Sequence, residues 1–397
     1  MKSTRERRSG QTLVIMVIAI LAIVAGMGLI IDGGNAWSQQ RITQAGNDAS
    51  AEAGAVVLAR HDSGEPDPAG GWDAEVDTAV QSAAAANKID VPVAYYTDIC
   101  GTLLKPDGTK ALGTADAAVV GGGTLPTNNH TNPDCPSGVV GPVAGVQAQG
   151  HKQFDSFVSR VIGIGTLNAD TAATAVTGLL QGTCDAASGC VVLPVTSPVT
   201  VVTCDGTGSA EPTAIEWPMN TEVVVPLCKN NPGNVGWIDW DPKAGGVSEL
   251  ENSILHPDNP PIDLPSWQFV TATGDVNSKM IEDAINQYIG QVVLFPMFDL
   301  TCAEDPVFAD VKVAPNYGCG DIGGAGTNQW YRFPRFAGFL LTRAFLNGSN
   351  KADCDTGNGA TSCLVGKFVH FVTSGTVGPG VGGGTDEGGV LGVQLIK

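Results

Sequence analysis

The sequence predicts an α+β fold in which a long N-terminal helix crosses a membrane and precedes a β-rich, disulfide-stabilised domain. The first observation is a run without charged residues, Thr12–Ile31, which as a helix spans about 30 Å. The second is the chain beyond Val91, where short β-prone runs alternate with glycine and proline. The third is that all ten cysteines lie beyond the apolar run, between Cys100 and Cys363.

The charges around the apolar run predict its orientation. Four basic residues and one acidic residue precede it, and Asp32 follows it. Because positive charge is retained on the cytoplasmic side, residues 1–10 are predicted to be a cytoplasmic tip. The protein is therefore expected in the cell membrane with a single span, and its C-terminal domain is expected outside the cytoplasm, at the cell surface.

Three interpretations of the apolar run stay open. Its length favours a permanent signal anchor, since the apolar region of a cleaved secretory signal is usually shorter, about 7–15 residues. The third interpretation is a prepilin-type leader that is cut after Gly10. Pilin-like helices generally carry a glutamate five residues into the mature chain, and Ile15 occupies that position here. This argues against a polymerising pilin, although sequence does not decide whether the N-terminus is processed.

Helical periodicity continues past the run, so residues 11–60 are predicted to form the span and an extended helix. Small and aliphatic residues recur at steps of three or four along its outer half, and these are Ile42, Ala45, Ala49, Ala53 and Val56. We call this set the small-residue stripe. Because small side chains let another element approach closely, the stripe is predicted to pack on the protein's own domain. Lateral assembly with other membrane helices is the alternative.

Beyond this helix the sequence predicts a proximal α+β part, residues 61–182, and a distal β-rich part, residues 183–397. After a breaker-rich turn, a second helix over Trp72–Asn87 is expected to return antiparallel beside the first. Val143–Val176 is predicted to be a strand–helix–strand unit whose helix crosses the sheet. A glycine-rich segment, residues 375–389, precedes a closing apolar run that is expected to pair in a sheet.

The cysteine pattern predicts five disulfides formed in an oxidising compartment. The count is even, no two cysteines form a C-x-x-C pair, and no histidine stands at zinc-finger spacing from them. Sequence does not determine the connectivity, and pairing of consecutive cysteines is the simplest arrangement. The pairs would be Cys100–Cys135, Cys184–Cys190, Cys204–Cys228, Cys302–Cys319 and Cys354–Cys363.

Charge and motifs argue against several classes of function. A net charge of -19 is repelled by phosphate backbones, so nucleic acid is not an expected partner. The chain lacks the H-E-x-x-H, G-x-S-x-G and phosphate-loop patterns, and its five histidines are dispersed. We therefore predict a protein that is not an enzyme, with no catalytic residue, no cofactor and no metal site.

Two local patterns have both a functional and a structural interpretation. Residues 353–359 space oxygen ligands as a calcium loop does but lack the bidentate glutamate of an EF-hand, and a disulfide-closed turn explains them as well. Trp237 and Trp240 are flanked by aspartate and asparagine, which suits a carbohydrate platform. Tryptophans at strand ends are, however, usually core residues, and the core interpretation is favoured.

The N-terminal pattern resembles a known family. Its parts are the arginines, Gly10-Gln11, the apolar run, Asp32-Gly33, Arg41, Gln44-Ala45-x-x-Asp48-Ala49 and Ala51-x-Ala53-Gly54-Ala55. Over residues 1–60 this resembles the TadG/TadE-like proteins of the tight-adherence (Tad, or Flp) pilus-assembly system. The unit at Val143–Val176 is similar to a segment found downstream in these proteins, and the chain from Cys204 onward is more loosely similar to their variable ectodomains. The D-x-S-x-S metal motif of their von Willebrand A-type members is missing.

The resemblance implies a membrane-anchored extracytoplasmic component of a Tad-type pilus-assembly or surface-attachment system, structural rather than catalytic. Its partners would be the membrane and other Tad pilus-assembly proteins, in a stoichiometry that sequence leaves open. Two alternatives from other classes also stay open. One is an anchored binding module for carbohydrate or protein, and the other is an exported hydrolase whose site has no recognisable motif.

Overall fold

The structure, a computed structural model, describes part of the chain. The described residues are 9–126, 143–180, 182, 190–204, 210–228, 236–238, 247–257, 264–270, 278–302, 319–320, 329–346, 354, 362–377 and 389–396. Over these residues a long N-terminal helix comes first, and most of the regular structure after it is β-strand. The predicted α+β class, with its apolar N-terminal helix and β-rich remainder, is confirmed.

Two antiparallel helices begin the fold. Helix α1, Ser9–Asp62, is continuous for 54 residues, and helix α2, Trp72–Ala86, follows a turn. The turn ends at Gly71, whose φ of 78° suits glycine, and α2 then carries two acidic residues in its first turn, which its dipole favours. Because Gly54 of α1 lies beside Val80, whereas Gly46 lies beside Asn87, the two helices are antiparallel. The predicted helical hairpin is confirmed.

Helix α1 lies against a sheet that has five strands among the described residues. In spatial order these are β1 (Asp90–Thr97), β2 (Gly145–Asp155), β3 (Thr166–Leu179), β17 (Val390–Ile396) and β16 (Phe371–Ser374). Neighbours are antiparallel except β16 and β17, which are parallel. The closing run pairs in a sheet, as predicted. It joins the proximal strands, however, although it belongs to the distal segment of the sequence.

Strands β2 and β3 form one long antiparallel hairpin, which corrects the predicted strand–helix–strand unit. Residues 151–155, predicted as helix, continue β2, and the only helical part described there is the short 3-10 turn Ser159–Ile162. Each of residues 151–155 faces a partner in β3, so regular cross-strand pairing outweighs a weak helical period. We call residues 156–165, which connect the two strands, the hairpin tip.

The distal part contributes three further sheets within the described ranges. The largest has the order β7 (Glu222–Pro226), β15 (Cys363–Val369), β14 (Arg335–Phe345), β10 (Val292–Phe298), β4 (Val195–Pro198) and β8 (Gly236–Trp237). The second has the order β12 (Cys319–Gly320), β11 (Leu300–Cys302), β13 (Gln329–Phe333) and β9 (Ser266–Val270). The third is a ribbon of β5 (Thr200–Cys204) and β6 (Ala210–Glu216). Two short helices accompany them, α3 (Val247–Leu255) and α4 (Lys279–Ile285), and a 3-10 turn, Asn286–Tyr288, follows α4.

The proximal and distal parts each contain a hydrophobic core, and a third buried cluster contains residues of both parts, among them Val390 of β17 and Leu294 of β10. In the distal core, Phe295 and Phe339 stack with 4.7 Å between ring centroids, and Phe368 meets Phe339 edge-on at 5.0 Å. Ile254 of α3 and Ile285 of α4 belong to the same core as this aromatic group. The proximal core is a different cluster, built from α1, α2 and the five-stranded sheet. Each part therefore has the apolar interior that a folding unit needs.

Two of the predicted disulfides are confirmed. Cys204 bonds to Cys228 and Cys354 bonds to Cys363, each with a Cα–Cα distance of 5.5 Å. All four cysteines belong to the distal core. These bridges therefore join strands and loops that already pack together, which is where a cross-link adds least strain.

The other predicted pairs are tested only in part. Cys100 and Cys190 are both disulfide-bonded. Their predicted partners, which lie outside the described residues, are Cys135 and Cys184. Backbone pairing places Cys302 opposite Cys319, as the predicted bridge requires, and the bridge itself stays a prediction.

Candidate functional site

Helix α1 is the candidate functional element because it joins the apolar run to the folded domain. Among the described residues, it is the one helix long and apolar enough to cross a membrane. The large apolar side chains described between Leu13 and Ile31 are exposed and do not pack on the domain. An exposed apolar surface of this size marks a place where the chain meets an apolar environment.

The outer half of α1 packs on the domain through a face displaced by one residue from the small-residue stripe. Six of the buried positions, which we call the docking face, are Thr43, Gly46, Asn47, Ser50, Gly54 and Val57, and Ala51, Ala55, Leu58 and Ala59 are buried as well. In the stripe, Ile42 and Val56 are 43% and 38% exposed, Ala45 is exposed, and Ala49 and Ala53 are only half-buried. One residue rotates a helix by about 100°, so the stripe lies to one side of the face that the sheet covers. The expectation that the stripe packs on the protein's own domain is thus corrected.

Thr43 and Ser50 can be buried in the docking face because their hydroxyls donate hydrogen bonds to carbonyls of α1 itself. Thr43 Oγ1 donates to the carbonyl of Gln39 at 2.8 Å, and Ser50 Oγ donates to the carbonyl of Gly46 at 2.8 Å. A hydroxyl bonded within its own helix leaves no unpaired group when the sheet covers it. A search for apolar periodicity overlooks such positions, since their polarity is cancelled locally.

Two glycines of the docking face set the distance between α1 and its neighbours. A Cβ atom on Gly46 would lie 2.9 Å from Cδ1 of Ile89, which is too close for an ordinary contact. A Cβ atom on Gly54 would lie 2.9 Å from Cγ2 of Val80 and 3.0 Å from Cγ2 of Val146. Glycine therefore lets α1 approach α2 and β2 at the same time.

Asn47 fastens the helix to both strands of the hairpin. The residue is fully buried, and its Nδ2 donates to Thr171 at the carbonyl (2.8 Å) and at Oγ1 (2.6 Å). The same nitrogen lies 3.3 Å from the carbonyl of Gly150 on β2. Gln44 and Asp48, both part of the family pattern, bond to each other at 2.8 Å beside this contact. The middle of the docking face is thus held by directed bonds as well as by close packing.

Asp32, the first charged residue after the apolar run, binds the hairpin tip. Its buried carboxylate accepts the backbone N–H groups of Phe157 at 2.7 Å, Val158 at 3.2 Å and Ser159 at 2.6 Å. The Ser159 hydroxyl donates to it at 2.6 Å. These N–H groups stand at the start of the 3-10 turn, where no carbonyl of the turn can accept them. The hydroxyl, together with the backbone donors, lowers the pKa of Asp32 to about 2, although burial acts in the opposite direction.

The outer end of α1 is tied to α2 by a charged and aromatic cluster. Arg60 pairs with Glu65 at 2.9 Å and with Glu75 at 3.5 Å, and its guanidinium lies 5.9 Å from the centroid of the Trp72 ring. Trp72 Nε1 donates to Asp67 at 2.6 Å. Partly exposed ion pairs of this kind contribute at most about 1 kcal/mol each. The cluster therefore orients the turn more than it stabilises the fold.

Asp73, at the start of α2, is the buried polar centre of the proximal part. Its carboxylate accepts the hydroxyl of Tyr96 at 2.6 Å and the N–H groups of Gly121 and Gly123 at 2.9 and 2.7 Å. Burial, and after it the hydrogen bond to Asp73, raises the pKa of Tyr96 well above its ordinary value. Tyr96 therefore stays protonated. The Asp73 side chain joins α2, in which it lies, to β1 and to the loop that follows β1.

The sequence patterns with a possible metal or ligand role were compared with the part of the chain that the structure describes. Within it, no group of three or more His, Cys, Asp or Glu residues is placed to hold a metal ion. Trp237 is buried in the distal core, in agreement with its interpretation as a core residue. Trp240 lies outside the described residues, as does the calcium-like pattern at 353–359 apart from Cys354.

The sequence did not predict the hydrogen bonds that Asp32 and Asn47 make to the hairpin of β2 and β3. In the sequence Asp32 marks the end of the apolar run and belongs to the family pattern, and Asn47 lies in an unspecified position of that pattern. A periodicity search that counts glycine, serine, threonine and asparagine with the small residues would have found the docking face. Comparison with known proteins finds no family model, no curated protein and no solved structure that matches the chain.

Proposed function

We propose that the chain is a membrane-anchored extracytoplasmic component of a Tad-type pilus-assembly or surface-attachment system, with a structural role. The observation that carries the proposal is the build of α1. One continuous helix of 54 residues joins an uncovered apolar run to a face that packs on the domain. The residues that resemble the Tad-type family lie on this same helix, which supports assigning it the anchoring role.

In this role α1 acts as a rigid stalk. It is held at three levels: at Asp32 by the hairpin tip, at Asn47 by β2 and β3, and at Arg60 by residues of the turn and α2. From Asp32 to Arg60 the helix is about 42 Å long. A helix held along this length does not swing as a flexible linker does, so the domain stands at a constant height above the membrane. The basic residues before the run place the N-terminus in the cytoplasm and the domain outside.

The small-residue stripe is the face of the stalk that stays open for a partner. Ile42, Ala45 and Val56 are exposed there, on a side of α1 that the sheet does not cover. Small residues allow a second helix to approach closely, so a neighbouring Tad-type membrane component or a second copy of this chain is the partner that this face suits. The lateral-assembly interpretation of the stripe is the one that we retain.

The test is deletion of the gene, scored by electron microscopy for pili and by a surface-attachment assay. The deletion strain is complemented with the full chain or with one of two variants. Ala45→Arg places a long charged side chain on the stripe, whereas Gln40→Arg places the same side chain on an exposed position on another side of α1. Immunoblots of membrane fractions control for the amount of each variant.

We expect the deletion to remove pili or attachment, and the full chain and Gln40→Arg to restore them, whereas Ala45→Arg does not. Unchanged pili and attachment in the deletion strain would contradict the proposal. Normal pili with lost binding of a surface ligand would indicate an anchored binding module instead. Turnover by the purified ectodomain, abolished by changing one histidine or aspartate, would indicate an exported hydrolase.

A further inference from the structure

Strand β2 runs along α1 toward the apolar run. Near its start, Val146 contacts the docking face at Gly54, and just beyond its end the N–H of Phe157 bonds to Asp32. From Gly54 to Asp32 the helix advances about 33 Å, and from Val146 to Phe157 an extended strand advances about 36 Å. Because the two lengths agree, the hairpin tip lies at the level where the apolar run ends.

The hairpin tip also reaches past Asp32 into the apolar run itself. A Cβ atom on Gly28 would lie 2.9 Å from Cβ of Val158, so the missing side chain at residue 28 leaves the space that Val158 fills. Gly28 is about 4.5 Å along the helix from Ile31, on the apolar side. Where α1 spans a bilayer, this contact therefore lies at the outer boundary of the hydrocarbon region.

The side chains of the hairpin tip suit such a boundary. Phe157 is 66% exposed and Ile164 is 46% exposed, and Arg160 beside them is exposed as well. Apolar side chains next to a cationic one are typical of segments that lie in the membrane interface. The carboxylate of Asp32 accepts the N–H groups at the start of the tip, so these donors enter the boundary already paired.

We propose that the hairpin tip is a second membrane contact, in which Phe157 and Ile164 enter the outer boundary of the bilayer that α1 spans. Arg160 then lies at the level of the lipid phosphates, because a long cationic side chain extends toward the polar layer. The inference rests on the membrane span of the proposed function and adds a role for the folded domain. Two contacts with one bilayer fix the tilt of the stalk, which a single helix leaves free.

The test uses the full chain in nanodiscs of phosphatidylethanolamine and phosphatidylglycerol. The photoreactive residue p-benzoylphenylalanine replaces Phe157 or Ile164, and in separate preparations Ile23 or Leu112. Ile23 lies in the apolar run and reports the span. After irradiation, mass spectrometry measures the fraction of protein that carries a lipid adduct.

Leu112 is the matched negative control, since it is apolar and 94% exposed. The preceding residue, Ala111, donates its N–H to Leu103, and Leu103 pairs with Thr97 at the end of β1. Thr97 lies opposite Gly145 at the start of β2, which is the level of Gly54 on α1. This places Leu112 about 30 Å farther from the apolar run than the hairpin tip.

We expect lipid adducts at Phe157 and Ile164 at a level within about threefold of those at Ile23, and at least about tenfold fewer at Leu112, because reaction requires contact with the acyl chains. Adducts at Ile23 without adducts at the tip would overturn the inference and leave the span intact. Adducts at none of the positions would overturn the span and the inference together. Cross-links from Phe157 to a second protein chain, or equal lipid labelling at Leu112, would also overturn it.

Discussion

Asp32 stands where the apolar run ends, and its carboxylate is surrounded by three backbone N–H groups and one hydroxyl from the hairpin tip. These donors come from residues 157–159, far along the sequence. A charged residue at the end of an apolar run needs only water as a partner, and the sequence indicates no hydrogen-bond partner for Asp32. The tertiary structure adds one, because a buried carboxylate with four donors fixes the loop that supplies them.

The first prediction concerns the charge on Asp32. Its folded-state pKa of about 2 is below the ordinary 3.8, so the stabilisation is present above pH 3.8 and is lost as the pH falls through about 2. Asp32→Asn should cause the same loss at neutral pH, since the neutral amide accepts these donors more weakly. Hydrogen exchange should then be faster at the amides of residues 157–159. Asp155→Asn, at an exposed carboxylate on β2, is the matched control, and equal exchange in both variants would contradict the prediction.

The second prediction concerns Asn47, which donates to the carbonyl and the hydroxyl of Thr171 from a fully buried position. Asn47→Ala removes the donor from those acceptors under the helix and should lower the free energy of unfolding by about 1–3 kcal/mol. Urea unfolding of the full chain in a mild detergent, followed by near-ultraviolet circular dichroism, measures it. Glu52→Gln, an exposed change on the same helix, should stay within about 0.5 kcal/mol of the parent. A loss no larger than this for Asn47→Ala would refute the bridging role.

At the scale of secondary structure elements, the contact between α1 and the sheet depends on how close the two can come. Glycines at residues 46 and 54 remove the side chains that would meet Ile89, Val80 and Val146. The hydroxyls of the docking face bond within the helix and add no polar cost. A close helix–sheet contact therefore forms on the face that carries these glycines and hydroxyls, together with buried apolar residues such as Leu58, whereas Ile42 and Val56 remain exposed.

The third prediction compares two glycines of the same helix. Gly54→Val places methyl groups against Val80 and Val146 and should cost about 1–3 kcal/mol of stability through overpacking. Gly34→Val is the matched control, because nothing lies within 4 Å of its would-be Cβ atom, and it should change stability by less than about 0.5 kcal/mol. The two free energies of unfolding are measured under identical detergent conditions. Equal values for both variants would show that the close approach at Gly54 is not required.

The hairpin of β2 and β3 shows how pairing decides a secondary structure. Residues 151–164 have apolar spacing that suits a short helix, and the isolated segment, which includes residues 151–155, predicts one. In the fold, all five lie opposite residues of β3 and extend the hairpin as far as the tip. This extension carries the tip to Asp32, so the choice between helix and strand determines whether the domain contacts the end of the apolar run.

At the scale of the whole molecule, the chain returns at its end to the sheet where it began. Strand β17 pairs with β3, and β16 pairs with β17, so Phe371–Ser374 and Val390–Ile396 complete the proximal sheet after the distal strands. The two parts of the sequence, residues 61–182 and 183–397, are therefore not independent in sheet formation. The distal part retains its own core, in which both described disulfides lie.

The fourth prediction concerns these disulfides. Replacing Cys354 and Cys363 together by serine removes a short buried cross-link and should lower the stability of the distal part by about 2–4 kcal/mol. Fluorescence of Trp217, which packs 5.3 Å from Phe368 in the distal core, and hydrogen exchange resolved by segment measure it. The proximal amides around Asn47 serve as the internal control and should be unaffected. A uniform loss across both parts, or none at all, would contradict a stabilising role of this bridge within the distal core.

Sequence alone determined the features that depend on neighbouring residues or on composition. The apolar run, the continuous helix beyond it and the helix that returns at Trp72 follow from charge, period and breakers. These are local rules, and the tertiary fold does not reverse them. The α+β class follows as well, because the long helical segments come first and the short β-prone segments come after them, without regular alternation.

Only the tertiary structure decided which side of α1 is covered and what Asp32 binds. Both depend on strands more than a hundred residues away, and the rotation between stripe and docking face is a single residue. Sequence periodicity ranks helix faces by apolarity, but the sheet covers the face that permits the closest approach and whose hydroxyls are already paired within the helix. That physical difference explains why the helix was predictable and its contact face was not.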